Sequence, residues 1–143
     1  MYNRCMKKIG IIGSRRRDTL PDYKACCEVF FSLYEEGDIV VSGGCPQGGD
    51  KFAELIAKDL GLTEENGKLI LHLAKWRVDG KYIRAAGFIR NTYIAEDSDV
   101  IIAVVAEDRK GGTEDTIKKA EKMGKTIILV DPLEIEYDPL DEI

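Results

Sequence analysis

Short apolar segments alternate with stretches of helical periodicity along this chain, and that alternation limits the possible folds more than any composition figure does. Residues 8–13, 38–42, 68–73, 100–105 and 126–130 read as strands. After the first, Tyr23, Cys26, Cys27, Phe30 and Tyr34 fall on one face of a helix. Thr19 is its predicted cap, Pro21 sits in its first turn, and Gly37 closes it. Phe52, Leu55, Ile56 and Leu60 mark a second helix, stopped by Gly61. Residues 87–97 and 113–123 read as a third and a fourth, the last ended by Gly124. About a dozen residues before the third helix, Trp76 among them, read as a loop that is long for such a connection. The segment Val100–Val105 is apolar on both faces, as a central parallel strand requires. The expected fold is α/β: a single doubly wound parallel sheet of about five strands with helices on both faces. It occupies residues 1–130, and residues 131–143 form an acidic appendage.

Composition removes several classes of protein. With 143 residues and 44% apolar types, the chain can bury one core and shows no low-complexity tract. Val100–Ala106 is its longest uninterrupted apolar stretch, far short of the roughly 18 residues of a membrane span. No secretory apolar region follows the basic start, so a cytoplasmic location is expected. Cys5, Cys26, Cys27 and Cys45 form no CxxC pair, and there is one His, so no metal site and no cofactor is expected. The net charge of −5 is unevenly distributed. Residues 1–17 hold six bases and no acid, whereas residues 131–143 hold six acids and no base. An acidic chain argues against a general nucleic-acid binder, yet a concentrated basic spot can still hold an anion.

In doubly wound sheets ligands bind beyond the carboxyl ends of the strands, where strand order reverses. Three unusual turns fall on that rim. Gly13-Ser14-Arg15-Arg16-Arg17 follows the first strand. Ser42-Gly43-Gly44-Cys45-Pro46-Gln47-Gly48-Gly49-Asp50 follows the second, and Lys110-Gly111-Gly112-Thr113 the fourth. Glycines there let backbone N–H groups approach a ligand, and each following helix offers a partly positive end, a combination that favours phosphate. The same glycines also serve plain tight turns. Arg15 is the best direct partner for a phosphate, because its fork binds two oxygens; Arg16 and Arg17 read as solvated.

Other rim residues carry two readings each. Asp50 is a helix cap or a partner for a ribose hydroxyl, and Thr113 is a helix cap placed to donate to a phosphate. Arg90 and Asn91 open the third helix, either as its wet face or toward the rim. Glu114 and Asp115 are dipole partners of the fourth helix or a catalytic acid and base. Trp76 stacks on a base or closes the core, Cys45 is incidental or a reactive loop thiol, and His72 is structural. There is no GxxxxGK[ST] loop, no GxGxxG turn, and no Ser-His-Asp or Cys-His set.

The order Gly13-Ser14-Arg15, Ser42-Gly43-Gly44 with Gly48-Gly49-Asp50, Ala74-Lys75-Trp76, Ala86-Gly87-Phe88-Ile89-Arg90-Asn91 and Gly111-Gly112-Thr113 resembles the SLOG superfamily over residues 8–130. These are Rossmann-like domains related to the LOG phosphoribohydrolases and to Smf/DprA, and the YspA-like branch is the nearest in pattern. The resemblance implies a nucleotide or nucleotide-derived small-molecule partner and a homo-oligomer. LOG-type enzymes cleave the N-glycosidic bond of nucleoside 5′-monophosphates with an Arg before strand four and a Glu after a Gly-Thr turn. Arg90 matches the Arg. The Glu of the pattern falls on Thr116, leaving Glu114 and Asp115 as the nearest acids. The leading expectation is therefore a binding module, a sensor or carrier, with a phosphoribohydrolase as the alternative. Single-stranded DNA binding, by analogy with Smf/DprA, is weaker, because only one Trp is available and the body of the chain is acidic.

Overall fold

The structure is a computed structural model that describes residues 6–133. Arg4 and Cys5 of the basic start, and the tail acids Glu134, Glu136, Asp138, Asp141 and Glu142, lie outside the described residues.

Strands β1 (Lys8–Gly13), β2 (Ile39–Ser42), β3 (Leu69–Leu71), β6 (Val100–Val104) and β7 (Thr126–Val130) form one sheet. All of its pairings are parallel, in the order β3-β2-β1-β6-β7. Helices α1 (Leu20–Leu33), α2 (Gly49–Leu60), α3 (Ala86–Asp97) and α4 (Gly112–Lys122) cover it. Side chains alternate across each strand, so the two faces build separate cores. On one face Ile9, Ile11, Val40 and Ile102 meet Cys26 and Phe30 of α1 and Phe52 and Ile56 of α2. On the other, Ile12, Val41, Ile101 and Ala103 meet Ile94 and Ala95 of α3 and Ile117 and Ala120 of α4. Every residue of β6 is buried, as its unbroken apolar run requires. Truncating a fully buried Phe30 to Ala would cost about 3–5 kcal/mol.

α1 begins as its sequence dictates. Thr19 and Asp22 form a reciprocal capping box, with Pro21 in the first turn. The helix ends at Leu33, where Tyr34 turns extended and its ring stacks on Phe30 at 5.1 Å.

The long connection before α3 is not a plain loop. Arg77–Val78 (β4) and Lys81–Tyr82 (β5) pair antiparallel as a hairpin. Its turn, Asp79-Gly80, has positive φ at both residues (51° and 77°), the backbone that a two-residue Asp-Gly hairpin demands. Among the described residues no helix is long and apolar enough to cross a membrane.

Because β1 pairs with β2 on one side and β6 on the other, chain order reverses between β1 and β6. The carboxyl ends of those two strands define where a ligand crevice belongs.

Candidate functional site

A cleft of about 300 Å³ opens at that reversal point, lined by the turns after β1 and β6 and by parts of α2, α3 and α4. The first turn starts where Ser14 N–H donates to the Val104 carbonyl at 3.0 Å, extending the ladder by one residue. Ser14 then folds the chain by accepting from the N–H groups of Arg16 (Oγ, 3.2 Å) and Arg17 (carbonyl, 3.0 Å). The three arginines diverge from there.

Arg15 is exposed on the cleft wall, and among the described residues its side chain makes no hydrogen bond or ion pair. Arg16 also lines the cleft but forks onto Asp108 at 2.9 and 2.6 Å and reaches the Lys110 carbonyl at 3.2 Å. That fork ties the first turn to the turn after β6, and it holds the Asp108 carboxyl down to about 2. Arg17, expected to be solvated, is instead buried. Its Nε donates to Asp22 at 3.0 Å, and its Nη1 donates to the carbonyls of Val105 (3.2 Å) and Val130. The Val105 carbonyl just past β6 needs a donor, and Arg17 supplies it. Arg17 adds a second bond to the Val130 carbonyl, which also accepts from Val105 N–H at 3.2 Å.

The turn after β2 is largely closed. Gly48, not Asp50, is the N-cap position of α2, so the cap reading for Asp50 does not hold. Asp50 sits in the first turn, and its carboxylate accepts the N–H groups of Gly43 and Cys45, both at 3.2 Å. Ser42 Oγ accepts from Gly44 N–H and donates to the Asp50 carbonyl, each at 3.1 Å. A Cβ on Gly49 would fall inside the contact radius of the Ile12 and Gly13 backbone, so only glycine lets α2 abut β1 this closely. Gly48 and Gly49 are both buried; Gly49 serves that packing, and Gly48 abuts the Ser14 backbone in the turn after β1. Gln47 is exposed on the loop. Of this turn, Cys45 and Asp50 reach the cleft, whereas Ser42, Gly43, Gly44, Gln47, Gly48 and Gly49 stand behind it.

The turn after β6 is open. A Cβ on Gly111 or Gly112 would meet nothing within 4 Å, and Gly111, at φ 115°, is the N-cap position of α4. Thr113 therefore does not cap this helix; it lines the cleft beside Gly111 and Gly112. Buried Thr116 lines it one turn further in, at the position where the LOG pattern carries its Glu.

From α3, Arg90 Nη1 donates to the Gly43 carbonyl at 2.8 Å and Nε to Asn91 Oδ1 at 3.0 Å. Asn91 Nδ2 continues to the Gly112 carbonyl (3.3 Å) and to Asp115 (3.2 Å), tying α3 to the first turn of α4. Both residues line the cleft. Burial pushes the Asp50 carboxyl above its ordinary value, against the opposing pull of Arg90, the two N–H groups and Arg15.

Glu114 and Asp115 are placed differently from the other candidates. Glu114 is held by Arg109 at 2.7–3.0 Å, and Asp115 by Lys119 at 2.9 Å as well as by Asn91. Neither lines the cleft. Trp76 also lies outside it, and outside the core: it is 43% exposed, with its ring stacked on Tyr82. Asp108, partner of Arg16, is the rim residue that sequence reasoning passed over; its place in the polar turn before Gly111 was the available signal. Among the described residues no group of three His, Cys, Asp or Glu is arranged to hold a metal ion.

Sheet order, reversal-point cleft and glycine turns define a Rossmann-like α/β protein. No family model and no curated protein matches the sequence. Among solved structures, the molybdenum cofactor binding protein of Rippkaea orientalis is similar over 98% of this chain and 82% of its own, at 24% identity and TM-score 0.67. DNA processing protein A (DprA) of Streptococcus pneumoniae is similar over 91% of this chain at 18% identity and TM-score 0.71. This chain spans about half of that protein's length, 52%. DprA of Helicobacter pylori, described by its single-stranded DNA binding, is similar over 95% of this chain and 70% of its own, at 21% identity and TM-score 0.62. At these identities the shared property is the fold.

Proposed function

We propose that the cleft binds the phosphate of a nucleotide or nucleotide-derived small molecule, and that the protein, a homo-oligomer of the YspA-like branch, works as a sensor or carrier for it. One observation carries this reading: the unobstructed N-terminus of α4 at Gly111, Gly112 and Thr113 shares the cleft with Arg15, a guanidinium that makes no hydrogen bond or ion pair among the described residues. Helix N–H groups and a free fork together suit a phosphate. Asp50 and Arg90 would then face the sugar, the carboxylate accepting from ribose hydroxyls. A cleft of about 300 Å³ suits a mononucleotide-sized ligand.

Thermal-shift measurements with nucleoside monophosphates, dinucleotides, cyclic nucleotides and the molybdenum cofactor named for the Rippkaea orientalis protein test the proposal. A bound ligand raises Tm by mass action. Silence across the panel overturns it.

Hydrolysis of an N-glycosidic bond is the second reading, and one observation favours a version of it. Asp50 is the sole acid among the described residues on the cleft wall, buried, with Arg90 at 3.9 Å. The acid would then be Asp50, since Glu114 and Asp115 are engaged elsewhere. Release of free base from a nucleotide panel, lost in Asp50→Asn, would support this version; unchanged nucleotides would end it.

A further inference from the structure

Among the described residues, eight polar or charged side chains are buried. Seven of them are hydrogen-bonded within the protein. Ser42 Oγ, for example, donates to the Asp50 carbonyl at 3.1 Å, and Ser98 Oγ to the Ile94 carbonyl at 2.8 Å. Thr116 is the exception. It is 2% exposed, yet among the described residues its hydroxyl makes no hydrogen bond.

The usual outlet for such a hydroxyl is taken. A helical Thr commonly donates to the carbonyl four residues back, as Thr92 does to Phe88 at 3.2 Å. For Thr116 that carbonyl is Gly112, which Asn91 Nδ2 engages at 3.3 Å. Thr116 lines the cleft together with the buried Ile12 and Ile94, and its oxygen is not sealed from that space. Two isoleucines offer a hydroxyl nothing, and a buried one without a partner is costly. A partner for Thr116 has to enter through the cleft.

The helix sets the direction. Side chains lean toward the N-terminus of their own helix, and residues three and four apart share a face. Thr116 therefore leans back toward Gly112 and Thr113, the open first turn of α4. Given the phosphate site proposed above, on which this rests, we infer that Thr116 is a further ligand-contacting residue. Its Oγ1–H donates to an oxygen of the anion held at the α4 N-terminus. Phosphate oxygens bring lone pairs, so the hydroxyl is the donor. A carboxylate at this position would add a second negative charge to a cleft that already holds Asp50, and would oppose the anion; a hydroxyl supplies a proton without charge.

Isothermal titration of the full chain with inorganic phosphate and with a nucleoside 5′-monophosphate tests this in wild type, Arg15→Ala, Thr116→Val and Thr116→Ser. Val keeps the branched shape beside Ile12 and Ile94, and Ser keeps the hydroxyl. Thr116→Val should weaken both ligands by about 10- to 100-fold, as loss of a hydrogen bond to a charged group predicts. Its Tm without ligand should not fall, because the hydroxyl has no protein partner to lose among the described residues. Thr116→Ser should bind near the wild-type level, whatever Tm it loses with the methyl group. Thr116→Ala set against Thr116→Ser repeats the comparison in a smaller side chain, so the outcome does not depend on how Val packs. If wild type binds neither ligand, the phosphate cleft fails and Thr116 with it. If Arg15→Ala weakens binding while Thr116→Val does not, the cleft stands and the role of Thr116 is overturned. Equal losses in Thr116→Val and Thr116→Ser would also overturn it, assigning the effect to packing.

Discussion

Arg90 Nη1 lies 3.9 Å from Asp50 Oδ2 while donating at 2.8 Å to the Gly43 carbonyl, so one side chain joins α3 to the turn after β2 and faces the buried acid of the cleft. Burial nevertheless dominates at Asp50, and its carboxyl sits above the ordinary 3.8. A raised carboxyl value means the folded state holds the proton more readily than the unfolded chain. Ionising Asp50 therefore costs stability as pH rises from about 3.8 through its raised value. Chemical denaturation of the wild type and of Asp50→Asn at a series of pH values checks this. The stability of the wild type minus that of the variant should fall as pH rises through this window. A rising difference would mean that Arg90 and the two N–H groups outweigh burial. Arg90→Ala, which leaves Asp50 buried without its cation, should cost about 3 kcal/mol near neutral pH.

Arg17 and Asp22 are a buried pair that pins the start of α1 to the carboxyl ends of β6 and β7. Arg17→Ala strips the Val105 carbonyl of its donor, removes one of two donors from the Val130 carbonyl and leaves a buried carboxylate. Urea unfolding should show a loss of about 3–5 kcal/mol. A loss below 1 kcal/mol would place Arg17 among the surface charges, as its sequence context first indicated.

The rim glycines divide into two kinds, and one substitution at each separates them. Gly49→Ala drives a methyl into the Ile12 and Gly13 backbone and should cost about 3 kcal/mol. Gly112→Ala meets open space at an ordinary φ, so its Tm should stay within a few degrees of wild type. Scanning calorimetry of the two variants decides; equal losses would contradict the division.

Much of this architecture is legible in the sequence because it rests on local patterns. The apolar run Val100–Val105 announces a central strand, and Thr19, Pro21 and Asp22 announce a helix start. Asp79-Gly80 announces a hairpin just as plainly, yet two-residue strands are too short to show alternation, so the segment reads as a loop. The functions of individual rim residues are less legible, since they depend on partners far along the chain. Gly48-Gly49 and Gly111-Gly112 look alike in sequence; the first pair packs on the end of β1 and the turn after it, and the second faces open space. Arg15, Arg16 and Arg17 are consecutive, yet Arg16 and Arg17 meet partners 88 to 113 residues away while Arg15 meets none among the described residues.

The phosphate cleft is the central claim, and amide shifts in a titration of isotopically labelled protein with inorganic phosphate and a nucleoside 5′-monophosphate test it most directly. The N–H signals of Ser14, Gly112 and Thr113 should move saturably, more tightly with the nucleotide. Arg15→Ala should weaken binding by about 10- to 100-fold without changing Tm, as loss of a charge-assisted contact predicts. Shifts confined to other regions, or affinity unchanged in Arg15→Ala, would contradict the account.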